Sequence, residues 1–133
     1  AMQPWWHSIA TINQYLKHSG GGSNLAGAIE SCQVTLDISP PGRKNFMLII
    51  GSGAPPSMPS SNPQEAAVAS ASYAKNKGTS IIPILIQEPA SIDDVDSAYF
   101  RNEISSDGNV FVSDFDGLED LQQNLLHEIT CQA

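Results

Sequence analysis

The sequence runs Lys44-Asn45-Phe46-Met47-Leu48-Ile49-Ile50-Gly51-Ser52-Gly53 through the middle of the chain. Five consecutive apolar residues, at 46–50, lie between a basic pair and a Gly-Ser-Gly turn. A short apolar run that is closed by glycines is typical of a strand buried on both faces inside a parallel sheet. Such a strand needs helices above and below it, so this run predicts an α/β fold.

The flanking segments supply further strands and helices. The apolar run at 81–86 predicts a second strand, although Pro83 cannot donate a ladder hydrogen bond and therefore indicates an edge position or a bulge. Asn109-Val110-Phe111-Val112 predicts a third strand. We expect a Rossmann-like three-layer sandwich. Its parallel strands are predicted near 45–51, 80–87 and 109–113, and its helices near 4–17, 23–36, 63–77, 97–104 and 115–130.

Two of these helices begin at recognisable capping residues. Ser23 or Asn24 is suited to cap the helix near 23–36, because short polar side chains accept hydrogen bonds from the free N–H groups of the first turn. Asn62-Pro63 reads as an N-cap followed by proline at the first helical position. Gly78 is suited to end the same helix in the left-handed conformation.

Length and charge limit the functional classes. The chain has 133 residues and a mass of 14.2 kDa, which predicts one domain over 1–133, with residues 1–2 a remnant of cloning or processing. No apolar run approaches the roughly 18 residues that a membrane span needs. The net charge of −8 argues against a nucleic-acid partner, which requires a basic surface. We therefore expect neither membrane insertion nor nucleic-acid binding.

The two cysteines are too few for a disulfide framework. Cys32 falls on the apolar stripe of a predicted helix, where a thiol packs as a small hydrophobe. Cys131 lies two residues from the end of the chain, where a disulfide could hold the terminus. Their spacing leaves open whether the two cysteines pair.

Ligands of open α/β sheets bind at the carboxyl ends of the strands, and Ser52 follows one such end. With Asp114 and His127 elsewhere in the chain, a serine hydrolase is one interpretation. However, the sequence Ile50-Gly51-Ser52-Gly53-Ala54 is not the Gly-x-Ser-x-Gly nucleophile motif, and a proline-rich loop follows it. The glycines of 20–22 could instead bind phosphate, but a predicted helix precedes them where the dinucleotide motif requires a strand.

Four segments in chain order carry a family resemblance: 20–29, 47–53, 78–84 and 100–131. The first, Gly-Gly-Gly-Ser-Asn-Leu-Ala-Gly-Ala-Ile, resembles the Gly-Gly-x-Thr-Asn-Thr-x-Gly-Ala-Ile segment of von Willebrand factor type A domains. The second and third resemble the Leu-Ile-Thr-Asp-Gly and Gly-Val-x-Ile-Phe-Ala-Ile strands of that family. The fourth resembles its closing Leu-Arg-x-Ile-Ala, Val-Phe-x-Val-x-Asp-Phe-x-Ala-Leu and Ile-Cys motifs.

The chain departs from the family at the metal-ion-dependent adhesion site. That site binds a divalent cation through Asp-x-Ser-x-Ser, a threonine and an aspartate, and no Asp-x-Ser-x-Ser occurs in this sequence. The resemblance places Ser23 at the threonine position and Ser52 at the aspartate position. Two hydroxyl groups are too few for a hard cation, so we expect no metal and no cofactor. The alternative is a magnesium or calcium site whose missing ligands and strands come from another chain.

The resemblance starts at about residue 12, after the first three strands and the first helix of the family. The strand at 45–51 would then be an unprotected sheet edge. Three explanations remain open. The domain is nicked or truncated; another chain supplies the missing strand, for example through a homodimer across the 45–51 edge; or the fold is naturally shortened and its N-terminal helix covers the edge.

The resemblance implies a non-catalytic module for protein–protein contact and adhesion. Its partners would be proteins of the extracellular matrix or cell surface, which implies an extracellular or secreted location. They would dock on a rim formed by 20–24, 51–58 and 87–96. The rim candidates are Gly22, Ser23, Asn24, Ser52, Gly53, Ala54 and Glu88. The alternatives are the cation-dependent binder, a serine hydrolase at Ser52 and a structural spacer.

Overall fold

The computed structural model describes residues 23–56, 61–88 and 94–132. The elements of this part are, in chain order, α1 (Leu25–Leu36), β1 (Phe46–Gly51), α2 (Pro63–Asn76), β2 (Ser80–Ile86), α3 (Asp94–Tyr99), a π-helical turn (Phe100–Ile104), β3 (Phe111–Ser113) and α4 (Leu118–Gln132). The helix predicted near 4–17 lies outside the described residues.

The three strands form a parallel sheet in the order β1-β2-β3. This confirms the predicted α/β fold class. Some boundaries differ from the prediction. The helix expected at 97–104 begins at Asp94 and changes to π-helical geometry at Phe100, while the last helix begins at Leu118.

Pro83 lies in the central strand of the described sheet, so the predicted edge position or bulge is wrong. The N–H groups of Ser80 and Gln87 donate to opposite neighbours, to Asn45 O and to Ser113 O, each at 2.9 Å. Because N–H groups alternate in direction along a strand, position 83 faces β3 like Gln87. The ladder to β3 begins one residue later, at Ile84, so the proline removes no ladder bond.

A side chain compensates for the N–H that Pro83 lacks. Continuing the β2–β3 register backwards places the carbonyl of Asn109 opposite position 83. That carbonyl accepts a hydrogen bond of 2.9 Å from Ser105 Oγ. The carbonyl is therefore satisfied without a backbone donor from β2, which explains why a central strand tolerates proline here.

The main core lies between one face of the sheet and the helices. Met47 and Ile81 are paired in register, so their side chains share this face, and Leu85 belongs to it by alternation. The core cluster consists of Ile29, Met47, Ala67, Ala71, Ala74, Ile81, Leu85, Phe100 and Ile104. The three alanines lie at helical spacing on α2 and are fully buried, so small side chains let α2 approach the sheet closely.

β1 is not buried on both faces, contrary to the prediction. Met47 is 2% exposed, but Leu48 is 41% and Ile50 67% exposed. Leu48 and Ile50 point away from the core cluster, and β1 pairs with β2 along one side only within the described residues. The strand that is buried on both faces is β2, in which Ile82 and Ile84 are 3% and 4% exposed on the face opposite Ile81.

The predicted caps are confirmed. Asn24 Oδ1 accepts from Gly27 N at 3.0 Å at the start of α1, and Asn62 Oδ1 accepts from Glu65 N at 3.2 Å at the start of α2. Gly78 follows α2 with φ of +91°, a backbone conformation that glycine adopts without steric cost.

A buried side-chain hydrogen bond joins α1 to the start of β2. Thr79 Oγ1 donates to Gln33 Oε1 at 2.7 Å, and both residues are 3% exposed. We predict that Thr79→Val lowers the free energy of unfolding by about 1–3 kcal/mol, because the carbonyl of Gln33 stays buried without its donor. Urea denaturation measures the loss.

Thr35→Val is the matched control, because Thr35 is exposed and its hydroxyl donates to Ser31 O within the same helix. We expect a change within about 0.5 kcal/mol for this surface substitution. Equal losses in the two variants would contradict the structural role of the Thr79–Gln33 bond.

Candidate functional site

A groove of about 520 Å³ runs between α1 and β1 and reaches the loop that follows β1. None of the described residues that line it carries a charge. They are Ser23, Asn24, Leu25, Ala28, Ile29, Cys32, Met47, Leu48, Ile49, Ile50, Gly51, Ser52, Gly53, Ala54 and Phe100. The groove is therefore apolar along most of its length. Its hydroxyl and amide side chains, on Ser23, Asn24 and Ser52, lie at the end where α1 begins and β1 ends.

The lining residues show that this groove follows the edge of the sheet. Residues 47–54 line it consecutively, whereas the side chains of one strand face alternate every second residue. The opposite wall comes from α1, where Leu25, Ala28, Ile29 and Cys32 share one helix face by their spacing. The backbone edge of β1 is thus part of the groove surface.

The structure brings most of the predicted rim residues together. Ser23 and Asn24 precede α1, Ser52 to Ala54 follow β1, and all five line the groove. Glu88 is exposed beyond the end of β2 and does not line it. Gly22 lies outside the described residues.

Asp96 holds the loop after β1, a contact that the sequence analysis missed. Asp96 Oδ1 accepts from Ala54 N at 3.0 Å, and Oδ2 lies 2.5 Å from the position that a Cβ on Gly53 would occupy. Gly53 is therefore required for the close approach of this carboxylate. Asp96 and Ala54 are 42 residues apart, so no local pattern signals the contact.

A second set of contacts supports the same loop. Gln64 Nε2 donates to Pro55 O at 2.9 Å, and Tyr99 OH donates to Gln64 O at 3.0 Å. Burial, assisted by the negative charge of Glu103, raises the pKa of Tyr99. The phenol therefore stays protonated at neutral pH and keeps its role as a donor.

Gln87 lies at the end of β2 and also contacts the loop after β1. Its Nε2 donates to Ser52 O at 3.4 Å, while its Oε1 is a buried oxygen with no hydrogen-bond partner among the described residues. A buried acceptor without a donor costs about 1–3 kcal/mol. Gln87 was not among the sequence-predicted site residues, because its contact with Ser52 depends on the pairing of β1 with β2.

The three residues of the hydrolase interpretation each contact other residues in the described structure. Asp114 Oδ1 accepts from Gly117 N at 2.7 Å before α4 begins. His127 lies 3.6 Å from the sulfur of Cys131, one turn later on the exposed side of α4. Ser52 is exposed on the loop, and its carbonyl is the atom that Gln87 contacts.

The structure leaves both cysteines free, so it does not contain the disulfide that the sequence left open. Cys32 is half-buried and lines the groove, while Cys131 is exposed on α4. Ser23 and Ser52, which the sequence resemblance places at metal-site positions, line one groove. Across 23–56, 61–88 and 94–132, no three His, Cys, Asp or Glu side chains are grouped to hold a metal ion.

No helix of the described part is long and apolar enough to cross a membrane.

Comparison with known proteins gives no relative: no family model, no curated protein and no solved structure matches the chain significantly. The functional argument therefore depends on the groove and on the residues around it.

We predict that titration of the chain with Mg²⁺, Mn²⁺ or Ca²⁺ gives no binding in the micromolar range. The physical reason is that the groove offers hydroxyl, amide and backbone oxygens, whereas hard cations need carboxylates as well. Isothermal titration calorimetry measures the affinity.

Ser23→Ala and Ser52→Ala are the controls for this titration. Micromolar binding that both substitutions remove would contradict the prediction and support a cation-dependent site. Binding that neither substitution changes would place the ion elsewhere on this acidic chain.

Proposed function

We propose that the chain is a non-catalytic protein-interaction module of the von Willebrand factor type A kind, which binds an extended segment of a partner protein in the α1–β1 groove without a metal ion. The observation that supports this proposal best is the combination of an uncharged groove with a strand edge as one of its walls. An extended segment can add a strand to a free sheet edge, where main-chain hydrogen bonds give affinity and neighbouring apolar surface accepts alternate side chains.

The direction of the backbone groups in β1 favours an extended ligand. Asn45 O accepts from Ser80 N, so the N–H and C=O groups of alternate residues, 45, 47 and 49, face β2. By the same alternation, the N–H and C=O groups of Leu48 and Ile50 face away from β2, toward the groove. An incoming strand can pair with these groups, while its side chains contact the apolar wall formed by Leu25 and Ala28.

One end of the groove adds polar recognition. Ser23 and Asn24 stand at one wall, and the loop from Ser52 to Ala54 stands at the other. Asp96 anchors that loop through Ala54 N, so the partner would meet a preformed surface. A preformed surface loses less conformational entropy when it binds.

The adhesive role and the extracellular location are the finer part of the proposal, and they depend on the sequence resemblance. The four motifs at 20–29, 47–53, 78–84 and 100–131 occur in the order that they have in type A domains. The partner would accordingly be a protein of the extracellular matrix or the cell surface.

A filling substitution tests the groove. Ala28 is exposed and lines the groove, so we predict that Ala28→Trp occupies it and weakens the binding of extended peptides by at least about tenfold, or about 1.4 kcal/mol. The probe is a set of synthetic peptides rich in Val, Ile and Thr. Backbone amide shifts in NMR spectra report both the affinity and the place of binding.

Ala69→Trp is the matched control, because Ala69 is exposed on α2 and does not line the groove. Peptides should shift the amides of Ser23, Asn24 and Ser52–Ala54 in the native chain and in this control. Binding that persists in Ala28→Trp would overturn the proposed site. Covalent labelling of Ser52 by a fluorophosphonate would instead support the hydrolase.

A further inference from the structure

Within 23–56, 61–88 and 94–132, no strand pairs with the edge of β1 that faces away from β2, and apolar side chains lie beside this edge. Within the described residues β1 pairs with β2 alone, and Leu48 and Ile50 are 41% and 67% exposed. Unpaired edges of this kind pair readily with another strand. We propose that the strand which pairs here is β1 of a second copy of this chain, antiparallel to the first about a two-fold axis. This inference rests on the proposed function, because it names the occupant of the same groove.

The register of this dimer follows from which residues of β1 point their N–H and C=O groups away from β2. Phe46, Leu48 and Ile50 present their N–H and C=O groups on the side away from β2. In the centred antiparallel register, Leu48 opposes the partner's Leu48, and Phe46 opposes the partner's Ile50. Each of these pairs exchanges two backbone hydrogen bonds. The ladder between the two copies therefore uses the N–H and C=O groups of β1 that do not face β2.

The side chains are self-complementary in this register. Phe46, Leu48 and Ile50 share the face of β1 that points away from the core cluster. The pairing places an aromatic ring opposite a β-branched side chain on each side of a central leucine pair. Such cross-strand pairs stabilise antiparallel sheets. The most exposed of the three, Ile50, gains the largest neighbour, which is the partner's Phe46.

The charges at the two ends of β1 favour the antiparallel direction. Arg43 and Lys44 precede the strand, and Lys44 Nζ lies 5.6 Å from the centre of the Phe46 ring. The carboxylate of Asp96 lies beside Gly53, just beyond the other end. Antiparallel pairing places Lys44 next to the partner's Ser52, close to the partner's Asp96. Parallel pairing would instead place the basic ends side by side, which is unfavourable.

Sedimentation velocity over a series of protein concentrations tests the dimer. We expect a reversible monomer–dimer equilibrium. Ile50→Lys should weaken dimerisation by at least about tenfold, because it buries an ammonium group opposite the partner's Phe46. Ile38→Lys is the matched control, since Ile38 is 80% exposed after α1 and should leave the equilibrium unchanged. Circular dichroism confirms that both variants fold.

Two further measurements identify the interface. Amide hydrogen exchange at Leu48 and Ile50 should slow as protein concentration rises, while exchange at Ala69 stays constant. Lys44→Glu should weaken the dimer, because it removes the attraction between Lys44 and the partner's Asp96. Added salt should weaken the native dimer more than the variant dimer, because the variant has no such attraction left to screen.

Five outcomes decide the inference. A monomer at every concentration overturns it, as does a dimer that Ile50→Lys leaves intact or one that gives Leu48 and Ile50 no added protection. A dimer that depends on Ile50 and protects both amides supports it. A monomer that still binds extended peptides in an Ala28-dependent manner overturns the second copy as occupant but leaves the proposed function standing.

Discussion

β2 forms parallel ladders with strands on both of its sides, and its side chains are buried on both faces. Each buried N–H and C=O of this strand needs a partner, because unsatisfied backbone groups in the interior are costly. The neighbours supply these partners. Where Pro83 has no N–H to offer, the facing carbonyl of Asn109 accepts from Ser105 Oγ instead. The need to pair the backbone groups of β2 and to bury its side chains therefore determines where β1, β3 and the packed helices lie.

The same arrangement creates the α1–β1 groove. α1 packs closely against α2, which places Ile29 in the core and directs Ala28 and Cys32 toward β1. β1 contributes Met47 to the core through one face, while the side chains of Leu48 and Ile50 on the other face are exposed. Among the described strands, β1 pairs with β2 alone. Core packing therefore buries one face of β1 and leaves its other face exposed.

Side-chain contacts from distant parts of the chain shape the end of the groove. Asp96 and Gln87 both reach the loop that follows β1, one through Ala54 N and the other through Ser52 O. Gly53 permits the carboxylate to approach, since a Cβ at this position would collide with it. The loop is consequently held from two elements, which suits a surface that binds a partner with little rearrangement.

The order and type of the elements and the helix caps could be predicted from the sequence, because each depends on contacts within a few residues. Asn24, Asn62 and Gly78 act on their own helix ends, and the apolar run at 46–50 forms a strand in any parallel sheet. The tertiary structure alone decided that β2, and not β1, is central, and that Pro83 faces β3 one residue before that ladder begins. It also decided that Asp96 meets Ala54. These features depend on hydrogen bonds between residues tens of positions apart, and no local spacing encodes which strand finds which neighbour.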